Sequence, residues 1–573
     1  MAVPEMTGAD VLVECLLREG VRYVFGVPGA QPLVLLDAIY RRRERGIEFV
    51  MTRHEQAAAH MADAWSRVTG QVGVCLGTVG PGVTDLVPGV AAAWAEGSPL
   101  LVLAAQNQSW RIYPHHGSQQ ECHQLGLFST ITKWNACCYH FSRIPELVRA
   151  AFRTALAGRP GPVHLDLPCD ILYQRGEVDE SWFWDPPSYR ATRGPAAPAD
   201  VVEEAARLLT EAARPLLHLG GGVLRSGAWE EARLLAEHLG AAVTTTVGAR
   251  GAIPDDHPQA LVAAGYGAMA AQSDADVVLA VGCRFGELDM WGRPPAWAER
   301  GRQTIIQVDV DPQWIGVNVP VSLGVVGDAR VVLAQLLEAV RERTPPRDPH
   351  PGLEEYRLAQ ESWLAEFLEL GASEARPIHP LRVIKEVRDF FPREAIVCVD
   401  GGNMAVWANY LTRIYEPRSF LWAGDMGHLG AGLPFALAAK LAHPERPVFV
   451  LHGDGSFMFM PQELETARRL GLAVVDVIGN DRAYGMIKGG QKMAFAGRYV
   501  GVDFHDVRYD ELARAMGCYG ERVEDPADLR PALERAVASG LPAVLDVLID
   551  QEAGLAAPDT VTLVDLWLEG CDL

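Results

Sequence analysis

The sequence predicts an α/β protein made of three open parallel-sheet α/β domains. Three observations predict it. Short apolar runs of strand length recur along the whole chain, bounded by Gly, Pro and Asp. Helical patterns lie between consecutive runs, and strand–helix–strand alternation builds parallel sheets with right-handed crossovers. Two proline-rich stretches, 185–200 (DPPSYRATRGPAAPAD) and 344–352 (TPPRDPHPG), separate three pieces of ordinary domain size. A chain of 573 residues is too long for one core.

The first piece, 1–184, opens with an amphipathic helical pattern over 6–20, capped by Thr7. Its strands read as VRYVFGVP, VGVCLGT, PLLVLAA and GPVHLDLP. The second piece, 196–343, has RPLLHLGG, AAVTTTV, DVVLAVG and TIIQVDVD. The third, 375–560, has EAIVCVD, PVFVLHG, AVVDVIG and PAVLDVLID. These near-continuous apolar runs are what strands buried on both faces look like.

Composition narrows the function classes. Hydrophobic residues make up 49% and charged residues 22%, as in ordinary globular proteins. A net charge of −22 argues against nucleic acid and anionic membrane surfaces as partners. The ten cysteines show no CxxC spacing and read as buried free thiols in a reducing compartment. The first 30 residues lack a signal-peptide pattern and no apolar run is long enough to span a membrane, so a cytoplasmic location is expected.

The densest information lies between Pro447 and Gly485. An apolar run over 447–451 leads into Gly453-Asp454-Gly455-Ser456. Pro461 then opens a helical pattern with Leu464, Ala467 and Leu470 on one face and Gly471 as its stop. A second run, 473–478, ends at Asn480-Asp481. This unit puts Asp454 and Asp481 just past the carboxyl ends of neighbouring strands, where open α/β sheets bind ligands. Hard oxygen donors beside a glycine turn suit Mg²⁺ holding a phosphorylated cofactor. A glycine-rich turn and an acidic loop, common in any α/β protein, is the other reading of these residues.

The GDG motif, the 27-residue offset from Asp454 to Asp481 and the following Tyr484-Gly485 resemble the fingerprint of thiamine diphosphate-dependent enzymes. More blocks extend the resemblance to the acetolactate synthase-like group of 2-oxo acid decarboxylases and carboligases. They are TRHEQAAAHMA at 52–62, Gly80-Pro81-Gly82, ITKW at 131–134, GPVHLDLP, Gly282-Cys283-Arg284-Phe285, VDVDP at 308–312 and 424–434. They cover about 530 residues in the order pyrimidine-binding, central and diphosphate-binding domain.

That resemblance implies thiamine diphosphate and Mg²⁺ as cofactors, with a small-molecule 2-oxo acid and a carbonyl acceptor as substrates. It implies Asp454 and Asp481 as side-chain metal ligands and Ala483 as a carbonyl ligand. The family has Asn where Asp481 stands, so an oxygen ligand is kept and a charge added. Glu55 would hydrogen-bond the pyrimidine nitrogen and promote the tautomer that removes the thiazolium proton; its other reading is an acid that suits the start of a helix. Gly402, Asn403 and Met404 would contact the diphosphate. Gly453, Gly455 and Ser456 would line it, with backbone donors from the last two. Leu429, after Gly427, would wedge the cofactor into its bent form; a core leucine is the alternative.

Substrate-side residues by the same resemblance are Gln120, with Gln119 where the group has Phe, and the pair His115-His116 as proton carriers or as a solvated loop. The resemblance further implies a homodimer with shared sites, or a dimer of dimers. Central domains of this kind hold FAD in some members and nothing in others, and no G-x-G-x-x-G is present here. Val79, Cys169 and Gly490 depart from acetolactate synthases, which carry Ser, Lys and Trp there. The missing Trp predicts a wider pocket. Carboligation of the acetolactate synthase type is therefore expected. Benzaldehyde lyase-like or 2-hydroxyacyl-CoA lyase-like cleavage, and a non-catalytic paralogue of the fold, are the alternatives.

Overall fold

The computed structural model describes residues 5–263 and 265–555. The ends of the expected outer domains, 1–4 and 556–560, lie outside the described residues, as does Cys571. By contacts the chain divides into two units. One runs to Thr192 and adds Asp425–Pro444 and Phe459–Leu472. The other takes Arg193–Gly424, Glu445–Met458 and the chain from Ala473.

The first unit holds a six-stranded parallel sheet. Its spatial order is Glu48–Met51, Tyr23–Gly26, Gly73–Gly77, Leu100–Gln106, Pro162–Pro168 and Trp134–Cys137. Every residue of Leu100–Gln106 and Pro162–Pro168 is buried, which is why both read as unbroken apolar runs. Glu5–Thr7 pairs antiparallel with Arg175–Glu177 beside it. Thr7 caps the helix Gly8–Arg18 through a reciprocal pair: its hydroxyl accepts from Asp10 N–H at 3.1 Å, and Asp10 accepts from Thr7 N–H at 3.0 Å. The helix Glu55–Thr69 packs against Gly432–Ala442, with His60 edge-on to Phe435 at 5.6 Å.

The second unit carries two more parallel sheets. The five-stranded one is ordered Ala242–Thr245, Pro215–Leu219, Val277–Val281, Thr304–Asp309, Leu323–Val326. The six-stranded one is ordered Phe420–Leu421, Ile396–Val399, Val448–Gly453, Val475–Asn480, Ala543–Leu548, Tyr519–Val523. The three parallel sheets are those the sequence predicts. A helix the sequence reading leaves unassigned, Gly352–Leu370, joins the last two cores: Leu353 and Tyr356 pack in one, Leu364 and Phe367 in the other.

Three boundaries move. The helix expected from Pro461 begins at Glu463 and closes at Gly471, whose φ of +66° is the left-handed cap glycine provides. The two flanking strands run to Gly453 and Asn480, two residues beyond the expected ends, so Asp454 and Asp481 each follow a strand directly. Nine described cysteines are free thiols; six are buried, as expected, while Cys122, Cys137 and Cys169 are partly exposed. Among the described residues no helix is long and apolar enough to cross a membrane.

Candidate active site

In the second unit, Val448–Gly453 and Val475–Asn480 lie side by side in register, Gly453 opposite Gly479. Asp454 opens a short helical turn and Asp481 a loop, and both are buried, at 1% and 6% exposure. Gly455 N–H donates to Asp454 Oδ1 at 2.9 Å, and Ala483 N–H to Asp481 Oδ1 at 3.2 Å. Asp454 Oδ2 is buried without a hydrogen-bond partner. Burial lifts the pKa of both carboxyls, and for Asp454 the neighbouring Asp481 charge lifts it further. Two buried carboxylates with an orphaned oxygen are the donor set a hard divalent cation satisfies, so the residues present fit Mg²⁺.

Glycines shape this cradle. A Cβ at Gly485 would stand 2.5 Å from Asp481 Oδ2 and 3.0 Å from Asn403 Nδ2. One at Gly455 would stand 2.8 Å from the Tyr484 ring. Gly402, with φ +85° and open space around it, caps the helix Asn403–Leu411, whose first N–H groups suit a phosphate. Ser456 spends its hydroxyl on Gly453 O at 3.1 Å, leaving its backbone as the available donor. Met404 is a core residue whose sulfur packs over Gly479. Sequence reasoning missed Gln551, which donates to Asp481 O at 2.7 Å. Lys488 bonds Gln551 at 2.7 Å and Asp503 at 2.6 Å, and its charge favours ionised Asp481.

In the first unit, Glu55 is the first residue of its helix and is 9% exposed. Its pKa is raised, mainly by burial and further by Asp85, even at a helix start that favours the ionised acid. The turn before it is held from two sides. His54 Nδ1 accepts from Gln56 N–H at 3.1 Å, and Glu463 accepts from Arg53 N–H at 3.0 Å. Gly82 lies directly on the Glu55 carboxylate: a Cβ there would be 2.8 Å from Oε1. Gly80, with φ +72°, lies against the Gln120 carbonyl, 2.3 Å from where its Cβ would be. Gly80 N–H donates to Gln124 Oε1 at 3.2 Å, and Gln124 donates to Asp166 at 2.6 Å.

The family model for the thiamine pyrophosphate enzyme N-terminal TPP binding domain matches residues 6–127. The central domain model matches 202–336, and the C-terminal TPP binding domain model 400–547. A probable acetolactate synthase large subunit of Methanocaldococcus jannaschii is 36% identical over 96% of this chain and 93% of its own length. The chain belongs to the thiamine pyrophosphate enzymes. Acetolactate synthase of Mycobacterium bovis is 33% identical over 96% of this chain and 90% of its own. Acetolactate synthase isozyme 3 large subunit of Escherichia coli is 33% identical over 93% and 92%. Within the family the chain is acetolactate synthase-like, a thiamine diphosphate-dependent enzyme of the carboligase and decarboxylase class.

In this thiamine pyrophosphate enzyme the remaining predicted residues fall into two groups. Leu429 is half-buried, and its carbonyl accepts from Gln56 Nε2 at 3.4 Å; Gly427 is exposed with φ +65°. Gln120 is exposed with φ +61°, held by its backbone against Gly80. His115 and His116 are exposed on a turn organised by Glu121, which pairs with the His115 ring at 3.2 Å and accepts from His116 N–H at 3.0 Å. Val79 is buried, Cys169 starts a short helix, and Gly490 lies in the helix Gly485–Ala494. Among the residues missed, Asp166 had one visible signal: an acid inside the apolar run GPVHLDLP. Glu463 and Gln124 had none.

Proposed function

We propose that this enzyme decarboxylates a 2-oxo acid and passes the resulting carbanion to a carbonyl acceptor, with pyruvate as the first donor to test. Asp454 and Asp481 would hold Mg²⁺, with the Ala483 carbonyl as a third ligand. The N–H groups that start Asn403–Leu411 and those of Gly455 and Ser456 would face the diphosphate. Thiamine diphosphate supplies the carbanion chemistry when bound. Glu55, buried and biased toward its protonated form, would share a proton with the ring nitrogen it faces, and Gly82 keeps its carboxylate in one position. Leu429 would support the bent cofactor from its apolar side, and Gln120 would face substrate.

The observation that carries this reading is the buried Asp454–Asp481 pair with its orphaned oxygen. A non-catalytic scaffold gains nothing from two buried like charges, which are costly without a cation. The absence of a large side chain at Gly490 favours a second reading, a bulkier donor or acceptor of the benzaldehyde lyase kind. A CoA substrate is less well supported. Arg250 is buried and bonded to Asp255 and the Thr412 carbonyl, and Lys488 is bonded to Asp503, so neither is available for phosphates. FAD forms no part of the proposal. The glycines after Pro215–Leu219 are explained by packing, since a Cβ at Gly220 would stand 2.2 Å from Gly282 O.

A homodimer with shared sites, alone or paired into a tetramer, belongs to the same proposal. Exposed apolar residues concentrated at Ile487, Met493, Phe495, Tyr499 and Val500 support it. The free thiols support a cytoplasmic location. Product analysis with pyruvate, a panel of 2-oxo acids and aldehydes tests the reading. Acetolactate from pyruvate supports it, cleavage of 2-hydroxy ketones without carboligation supports the second reading, and no turnover by cofactor-loaded protein overturns both.

A further inference from the structure

A second cluster of metal-type donors lies in the middle sheet, and none of its residues belongs to the site proposed above. His218 is in the strand Pro215–Leu219, and Thr244 is opposite it in Ala242–Thr245. Cys283 follows the carboxyl end of Val277–Val281, and Asp289 lies on the next loop. His218 Nε2 and Asp289 Oδ1 are 3.7 Å apart, Cys283 Sγ and Asp289 Oδ2 are 3.6 Å apart, and all three residues offer ligand atoms within 4.8 Å of one another. His218 is fully buried, and its Nε2 has no hydrogen-bond partner although it is aimed into this cluster.

We propose that His218, Cys283 and Asp289 bind one Zn²⁺ ion at the carboxyl-terminal edge of the middle sheet. Zn–N and Zn–O bonds of about 2.0 Å and a Zn–S bond of about 2.3 Å in a tetrahedron put ligand atoms roughly 3.3–3.6 Å apart. The His218–Asp289 and Cys283–Asp289 separations, each to its own carboxylate oxygen, are already close to that. The nitrogen, sulfur and oxygen donor set selects zinc over Mg²⁺, so the site is chemically distinct from the Asp454–Asp481 pair.

The surroundings hold these donors in place. His218 Nδ1 is 2.9 Å from Thr244 Oγ1, the outer hydrogen bond that fixes the tautomer and orientation of a ligating imidazole. Phe285 stacks on the His218 ring at 5.7 Å, and Trp297 meets it edge-on at 5.0 Å. Phe285 N–H donates to Cys283 Sγ at 3.3 Å, which offsets part of the burial and the Asp289 charge that hold this thiol's pKa well above its ordinary value without a metal. Trp297 Nε1–H anchors the loop through Asp289 O at 2.9 Å. Burial keeps the imidazole neutral, as a ligand must be, with its pKa drawn down to about 3. On binding, Cys283 releases its thiol proton to solvent and the Zn–S bond forms in its place. Three protein donors leave a fourth position for water.

The test uses the full-length protein, stripped with chelator and titrated with Zn²⁺, then with Co²⁺ as the optical probe. Wild type should retain about one Zn²⁺ per chain after dialysis and melt at a higher temperature with it. With Co²⁺ it should show a thiolate-to-metal charge-transfer band. Cys283→Ser should lose that band, and Asp289→Asn, at the less buried donor, should weaken binding by about 10-fold or more. Circular dichroism of both variants without metal establishes that they fold. Zn²⁺ retained equally by wild type and both folded variants, or no stoichiometric Zn²⁺ in wild type, would overturn the proposal.

Discussion

Asp454→Asn should stabilise the metal-free protein while weakening its Mg²⁺-dependent cofactor binding. The two effects have opposite signs because the carboxylate is a burden alone and a ligand with the ion. Asp454 Oδ2 is buried and unpartnered, and a buried polar group left unsatisfied costs about 1–3 kcal/mol, more when charged. Asparagine needs no proton uptake on folding and offers an amide to the neighbouring Asp481. A gain of about 2 kcal/mol would raise the midpoint of a domain of roughly 150–250 residues by about 4–8 °C. The pH dependence gives a second signature. Asp454 has its pKa raised above 3.8, so the folded metal-free state holds a proton that the unfolded chain gives up. Its contribution is present at low pH and lost as pH rises through the raised value. Asp454→Asn should flatten that decline, and Mg²⁺, which favours the ionised pair, should do the same in wild type. Scanning calorimetry across pH and calorimetric titration of thiamine diphosphate with Mg²⁺ read both effects. Unchanged cofactor affinity would refute the metal assignment, and a lowered metal-free midpoint would refute the charge argument.

Gly82→Ala places a methyl 2.8 Å from Glu55 Oε1 and should displace that carboxylate, lowering kcat by about 10²-fold with cofactor still bound. A kcat within threefold of wild type, about 0.7 kcal/mol, would mean the contact does not matter. Glu463→Gln should flatten the pH dependence of stability: burial raises Glu463 from 4.5 to about 7, so its contribution is present below 4.5 and lost as pH rises through about 7. Denaturant midpoints measured across that window check it, and an unchanged slope would remove Glu463 as the titrating group. Mixing Glu55→Gln with Asp454→Ala and allowing subunit exchange should restore about one quarter of wild-type activity, from mixed dimers with one intact site each. No recovery after demonstrated exchange would count against shared sites.

The central strands were legible because both faces are buried and their apolar runs are unbroken. The five strands of the parallel sheets that the sequence did not announce, Glu48–Met51, Trp134–Cys137, Leu323–Val326, Phe420–Leu421 and Tyr519–Val523, all lie at sheet edges. Three of these have mixed burial, Trp134–Cys137 is half-buried throughout, and Phe420–Leu421 has only two residues, too few for a pattern. Asp454 and Asp481 were legible because one strand–helix–strand unit sets their spacing. Glu463 was not, since its partner Arg53 is 410 residues away and no local pattern couples them. His218, Cys283 and Asp289 were hidden for a related reason: each looks like an ordinary member of its own strand or loop, and only the sheet brings them together.

The central claim is that Glu55 governs removal of the thiazolium proton. It is tested by hydrogen–deuterium exchange at that carbon in Glu55→Gln, loaded with thiamine diphosphate and Mg²⁺ and read by rapid quench and NMR. Glutamine keeps the size of the side chain but cannot stabilise a protonated ring nitrogen, so cofactor should bind while exchange slows by about 10²–10⁴-fold. A thermal melt on the same sample separates this from a loss of folding. Wild-type exchange in folded, cofactor-loaded Glu55→Gln would contradict the account.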